Sequence, residues 1–282
     1  MTGIPSHVFS FLTELQANNN KQWFDANKKR YEELVKAPLL AFIGAFDQQL
    51  ARLRGHFIAD PRPTGGSLFH SYRDVRFSKD KTPYKTEAGI HFRHERGKDV
   101  HAPGYYLHLA PGHSFAACGL WHPETAQRAA IHRDQPGWLA AKQAAADQSL
   151  RLTGDSLKRP PKGYDADHPL IEDLKRKDFI LSADVGDKEL ARDGFADRLA
   201  ELWSGATPLM RLLTEAVGLE FYGVLASRRS RAYPFCNPAS KANSASQVES
   251  SWVSRIRGIS SNRGSFISSR NGSIPIVPLP RV

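Results

Sequence analysis

Apolar side chains at Val8, Phe11, Leu12 and Leu15 follow Ser6 at i, i+3, i+4 and i+7, which places all four on one stripe of a helix. Ser6 is positioned to cap it, and the run of asparagines at 18–20 ends it. Asn20 then opens a second helical stretch as N-cap. Trp23, Tyr31, Leu34, Val35, Leu39, Phe42, Phe46 and Leu50 hold the helical period, with Pro38 as the expected break or kink.

Beyond residue 66 the pattern shifts to short β-forming runs separated by turns. The segments SLFHSYRDVRF (67–77), AGIHF (88–92), GYYLHLA (104–110) and HSFAACGLW (113–121) predict four strands. Pro111-Gly112 suits the central positions of a type II turn, so the last two should form an antiparallel hairpin. Alternation along the third places Tyr105, Leu107 and Leu109 on one face and Tyr106 and His108 on the other.

Helical spacing returns in PETAQRAAIHRD and PGWLAAKQAAADQSL. It recurs in DHPLIEDLKRK, with Asp167 as cap and Pro169 in the first turn, and near 187–203 and 207–218. A block of strands between blocks of helices, without β-α-β alternation, predicts an α+β fold. The expected architecture is a single domain over residues 1–226, with a mainly antiparallel sheet flanked by N- and C-terminal helices.

The charge of +10 changes this picture only at the C-terminus. Residues 227–282 hold nine Arg or Lys, one acid (Glu249) and fourteen Ser, and show no sustained apolar period. The other 226 residues carry 30 basic and 28 acidic groups, a net of +2. The end of the chain therefore reads as a basic, Ser-rich disordered tail. Two cysteines, Cys118 and Cys236, allow no disulfide framework and point to a reducing compartment. Neither a leader pattern nor a long apolar run is visible, so a cytoplasmic protein with no membrane partner is expected.

The candidate chemistry concentrates in RDVRFSKDKTPYKT (73–86), where Arg73, Arg76, Lys79, Lys81 and Lys85 accompany Asp74 and Asp80. On a strand followed by a turn, two guanidinium forks and three lysines can converge on a phosphate or carboxylate. Lys158, Arg159 and Lys162 form a second basic group ahead of the 167–177 helix, whose N-terminus would offer free N–H groups to an anion. The favoured reading is binding of a phosphorylated or other anionic small ligand. One alternative is an enzyme using Asp74 or His108 for proton transfer. Another is a structural motif in which Arg73 and Arg76 pair with acids and lock a turn. Nucleic acid is a weaker partner, because the acids interrupt the basic run.

His91, His94, His101, His108, His113 and His122 cluster in the strand region without metal-ligand spacing, so no metal is expected. GDSL at 154–157, with Asp165 and His168, imitates a serine hydrolase but lacks the strand-to-helix turn such a nucleophile needs. No phosphate-binding glycine loop is present, and the sequence specifies no cofactor.

FHSYRDVRFSKDKTPYKTEAGIHF, GYYLHLAPGHSFAACGLWHPE and LKRPPKGYDADHPLIEDLKRKDF together resemble a bacterial and fungal family classed as domain of unknown function 2461. The resemblance spans roughly residues 5–225 and implies a domain boundary, but no activity.

Overall fold

The computed structural model describes residues 3–76, 78–97 and 102–221; the tail expected at 227–282, with Cys236, lies outside the described residues. The N-terminal layer is built from α1 (Ser6–Ala17), α2 (Lys21–Tyr31) and α3 (Ala37–Arg52). Ser6 begins α1 as its first helical residue, and the N-cap is Pro5, which lacks a capping side chain. Asn20 caps α2 as expected, accepting the Trp23 N–H at 2.9 Å. Pro38 does not stop the helix. It sits in the first turn of α3, immediately after a π-helical turn at Glu32–Lys36 that absorbs the ring and the missing N–H.

The sheet has five strands in the order β1-β2-β3-β5-β4, every neighbouring pair antiparallel. They are β1 (Ala88–Arg93), β2 (Gly104–Leu109), β3 (Phe115–Leu120), β4 (Arg151–Thr153) and β5 (Phe179–Asp184). Pro111 and Gly112 turn β2 into β3. His113 N–H donates to the Ala110 carbonyl at 3.0 Å, and Gly112 has φ +70°, as a type II turn requires.

Between β3 and β4 lie α4 (Thr125–Arg133) and α5 (Gln135–Asp147), split at Asp134, whose carboxylate caps Gly137. The chain closes with α6 (Ile171–Leu174), α7 (Asp187–Leu190), α8 (Phe195–Ser204) and α9 (Thr207–Ala216).

Three sequence expectations need correction. Segment 67–77 is not a strand: it touches β1 through single bridges and hydrogen bonds, then leaves the sheet. β4 and β5 extend the sheet beyond the expected strands. The helix expected over 167–177 shrinks to the single turn α6, because 175–177 pair instead with 155–157. Leu157 N–H donates to Lys175 and Lys177 N–H to Asp155, so tertiary pairing overrides a weak helical pattern.

The two sheet faces differ. Tyr105, Leu107, Leu109, Ala116, Cys118, Leu120, Phe179 and Leu181 join the helices in the main core, around Phe46, Phe92 and Trp203. The opposite face holds a smaller cluster of Tyr106, Phe115, Ala117, Trp121 and Ile180, with Phe69 against it, and no helical residue takes part. Among the described residues, no helix is long and apolar enough to cross a membrane.

Candidate functional site

The basic stretch is a closed loop hung on the edge of the sheet. Phe69 N–H donates to Gly89, and His91 N–H donates to Ser67, which ties residues 67–69 to β1. Tyr72 then faces Tyr84 across an antiparallel bridge, with Arg73 N–H donating to Pro83 at 2.9 Å and Lys85 N–H to Ser71 at 2.7 Å. Residues 74–82 loop out between these two arms.

Two aspartates shape that loop through local bonding that competes with a strand ladder. Asp74 accepts the Arg76 N–H at 3.2 Å, and Asp80 accepts the Thr82 N–H at 2.9 Å, an Asx-type turn on each side. Each carboxylate also holds a guanidinium. Arg76 binds Asp74 through two donors at 2.9 and 2.6 Å, and Arg73 binds Asp80 and the Thr82 hydroxyl. Hydrogen bonding from these arginines holds both carboxyls down to about 2. Lys81 donates to the Val75 carbonyl at 2.9 Å, closing the loop, while Lys79 is exposed. The convergent arginine pair expected from a strand is therefore not formed, since each guanidinium is turned onto its own aspartate.

Lys85 is placed differently. Its neighbour Tyr84 enters the helical layer and stacks on Phe24 at 3.9 Å between ring centres. Lys85 lies on the other side and is only 5 % exposed, with Nζ 5.7 Å from the centre of the Phe69 ring. Asn19 sets this alternation: its side-chain amide donates to the Tyr84 carbonyl at 2.9 Å and its oxygen accepts the Tyr84 N–H at 3.1 Å. In the sequence Asn19 reads only as part of a helix end, because a clamp spanning 65 residues leaves no local pattern.

Phe69 connects Lys85 to the helix-free face, with its ring 6.0 Å from His91 and 6.2 Å from Tyr106. The Tyr106 hydroxyl lies 3.2 Å from His108 Nδ1, and the His108 ring stacks on Phe115 at 4.6 Å. His91 and His108 are both buried. Desolvation, reinforced by Arg93, pushes His91 down to about 3, so its imidazole is neutral at physiological pH. His70, beside this group, is also lowered, first by burial and then by the charge of Lys85. One face thus gathers an ammonium, two imidazoles and a phenol.

The second basic group lies apart from it. Lys158, Arg159 and Lys162 are exposed on the loop after β4, at the opposite edge of the sheet from β1 and segment 67–86. The helix turn that follows offers no free donors of the expected kind: Ile171, Asp173 and Leu174 N–H groups already donate to His168 and Leu170 carbonyls. Asp74, considered for proton transfer, is committed to Arg76. No group of three or more metal-ligating side chains occurs among the described residues.

The chain belongs to the family described as conserved hypothetical protein (DUF2461), whose model matches residues 7–212. No curated protein matches it.

Proposed function

We propose that this member of a family without an assigned activity binds an anionic small ligand, phosphorylated or carboxylated, on the helix-free face of its sheet, with Lys85 as the principal cation. The supporting observation is the placement of Lys85. Burying an ammonium costs several kcal/mol unless the site uses it, and this one sits beside His91, Tyr106 and His108 instead of in water. Neutral imidazoles and a phenol supply hydrogen bonds without adding charge, which suits recognition of a phosphate or carboxylate by one cation and several neutral donors.

The arginine-rich loop has a different role in this reading. Arg73–Asp80 and Arg76–Asp74 lock residues 74–82, and the locked loop holds the Ser71–Lys85 arm that aims the lysine. This joins two of the readings open from the sequence: the turn is structural and its last lysine is functional. Lys79, Lys158 and Lys162 remain peripheral.

The test is Lys85→Met, which keeps the length of the side chain and removes its charge, compared with Arg76→Gln. Calorimetric titration with inorganic pyrophosphate should show affinity falling at least about tenfold in Lys85→Met, the loss of one charge-assisted contact, and changing less than about threefold in Arg76→Gln. Lys85→Met should also melt no lower than the parent, since a buried charge is replaced by an apolar chain. The opposite ranking of the two variants, or a cooperative melt lost in Lys85→Met, would sink the proposal.

A further inference from the structure

Where β3 leaves the sheet and β5 enters it, three chain segments meet around one carboxylate. Asp178 is fully buried, and its Oδ1 accepts both the backbone N–H of His122 at 3.1 Å and the His122 ring Nδ1–H at 2.5 Å. Its Oδ2 accepts the Asp155 N–H at 2.9 Å. Gly154, at φ +105°, lets the chain after β4 pass so close that a Cβ there would lie 2.5 Å from the Asp178 Cβ. Asp178 is thereby fixed from two sides by backbone donors, and it fixes the imidazole in turn.

His122 is held in an uncommon state. Its φ is +46°, in the left-handed region that a non-glycine residue enters at a cost and that clusters at functional sites. The ring packs at 4.4 Å from Trp121, a member of the helix-free cluster, so it stands at the rim of that face. Its side chain is 36 % exposed. With Nδ1–H donated to the buried carboxylate, Nε2 carries the lone pair, and no described group bonds it. A buried acid that sets the tautomer, together with an imidazole presenting Nε2 outward, is the pairing that general-base catalysis uses.

We propose that His122 is a catalytic base and Asp178 its positioning residue, acting on an O–H group, that of water or of a ligand hydroxyl, at the rim of the helix-free face. Nε2 takes the proton, the oxygen keeps the bonding pair as it attacks, and Asp178 stabilises the imidazolium until the proton passes to the leaving oxygen. The class of ligand rests on the anion site proposed above, but the dyad itself does not.

The experiment uses the full chain and an uncharged probe, p-nitrophenyl acetate, over about pH 5 to 9, the range in which an imidazole changes state. His122→Asn is the decisive variant, because asparagine accepts a positive φ and preserves the backbone. Its hydrolysis rate should fall at least about tenfold, and the single deprotonation in the pH–rate profile should vanish with it. In Asp178→Asn the rate should drop similarly. Nitrogen-15 spectra should then show His122 losing its fixed Nδ1–H tautomer, a signature that a merely structural role would not move. Equal rates in the parent and His122→Asn, or a parent His122 with its neutral proton on Nε2, overturn the proposal. A parent that binds no pyrophosphate yet shows the His122-dependent rate refutes the anion site and leaves the dyad standing.

Discussion

Acidification from about pH 7 to about pH 4.5 is expected to remove about 3 kcal/mol of stability, with His91 the largest single source. Its folded value of about 3 lies below the ordinary 6.5, so in that window the unfolded chain binds a proton that the folded chain refuses. For a group depressed in this way, stability is full above 6.5 and is lost as pH falls toward the folded value. His70, His94 and His132 are lowered in the same direction, each by burial first, and steepen the slope. Asp74 and Asp80, held at about 2, keep their contributions until the pH is lower still and do not confuse the window. Urea melts at a series of pH values should show roughly one proton fewer taken up on unfolding in His91→Gln. An unchanged pH slope in that variant would show that His91 is not buried neutral.

Trp203→Ala is expected to cost about 3 to 5 kcal/mol, enough to leave a large unfolded fraction in a domain of ordinary stability. Trp203 is fully buried where α8 crosses the helix-covered face. Its ring lies 5.0 Å from Tyr105 on β2, 5.7 Å from Phe46 on α3 and 6.0 Å from Phe92 on β1. Removal opens a cavity bounded by both layers, which packed elements cannot collapse to fill. Trp203→Phe should lose far less, about 1 to 2 kcal/mol. It keeps an aromatic ring and deletes an indole N–H that has no hydrogen-bond acceptor, so part of the lost volume is offset. Thermal and urea melts of the two variants check the ranking. Similar losses would mean that the N–H is satisfied and that packing alone does not set the site.

What could be read from the sequence follows from the range of the interactions. The stripe through Val8, Phe11, Leu12 and Leu15, the Asn20 cap, the Pro111-Gly112 turn and the alternation at Tyr105 and Tyr106 are all local patterns, and all four recur in the structure. β5 was missed because FILSAD is a short, mostly apolar run whose strand character comes from pairing with β3, far away in the chain. β4 is three residues long and has no pattern of its own.

At the site, the charges of RDVRFSKDKTPYKT were visible but their partners were not. A strand period places Arg73 and Arg76 on opposite faces, whereas Asp74 and Asp80 bend the chain and take one guanidinium each. Lys85 stood out only as one cation of five, because its burial depends on the Asn19 clamp. His122 and Asp178 are 56 residues apart, and no spacing rule joins them.

The most direct test of the anion site is amide chemical-shift mapping of the full chain during titration with inorganic pyrophosphate. Lys85 at the helix-free face predicts perturbations at Phe69–Ser71, at Lys85–His91 and at Tyr106–His108, with the locked loop 74–82 largely still. Perturbations confined to residues 73–82 or to the 158–162 loop, or none at saturating pyrophosphate, would contradict it.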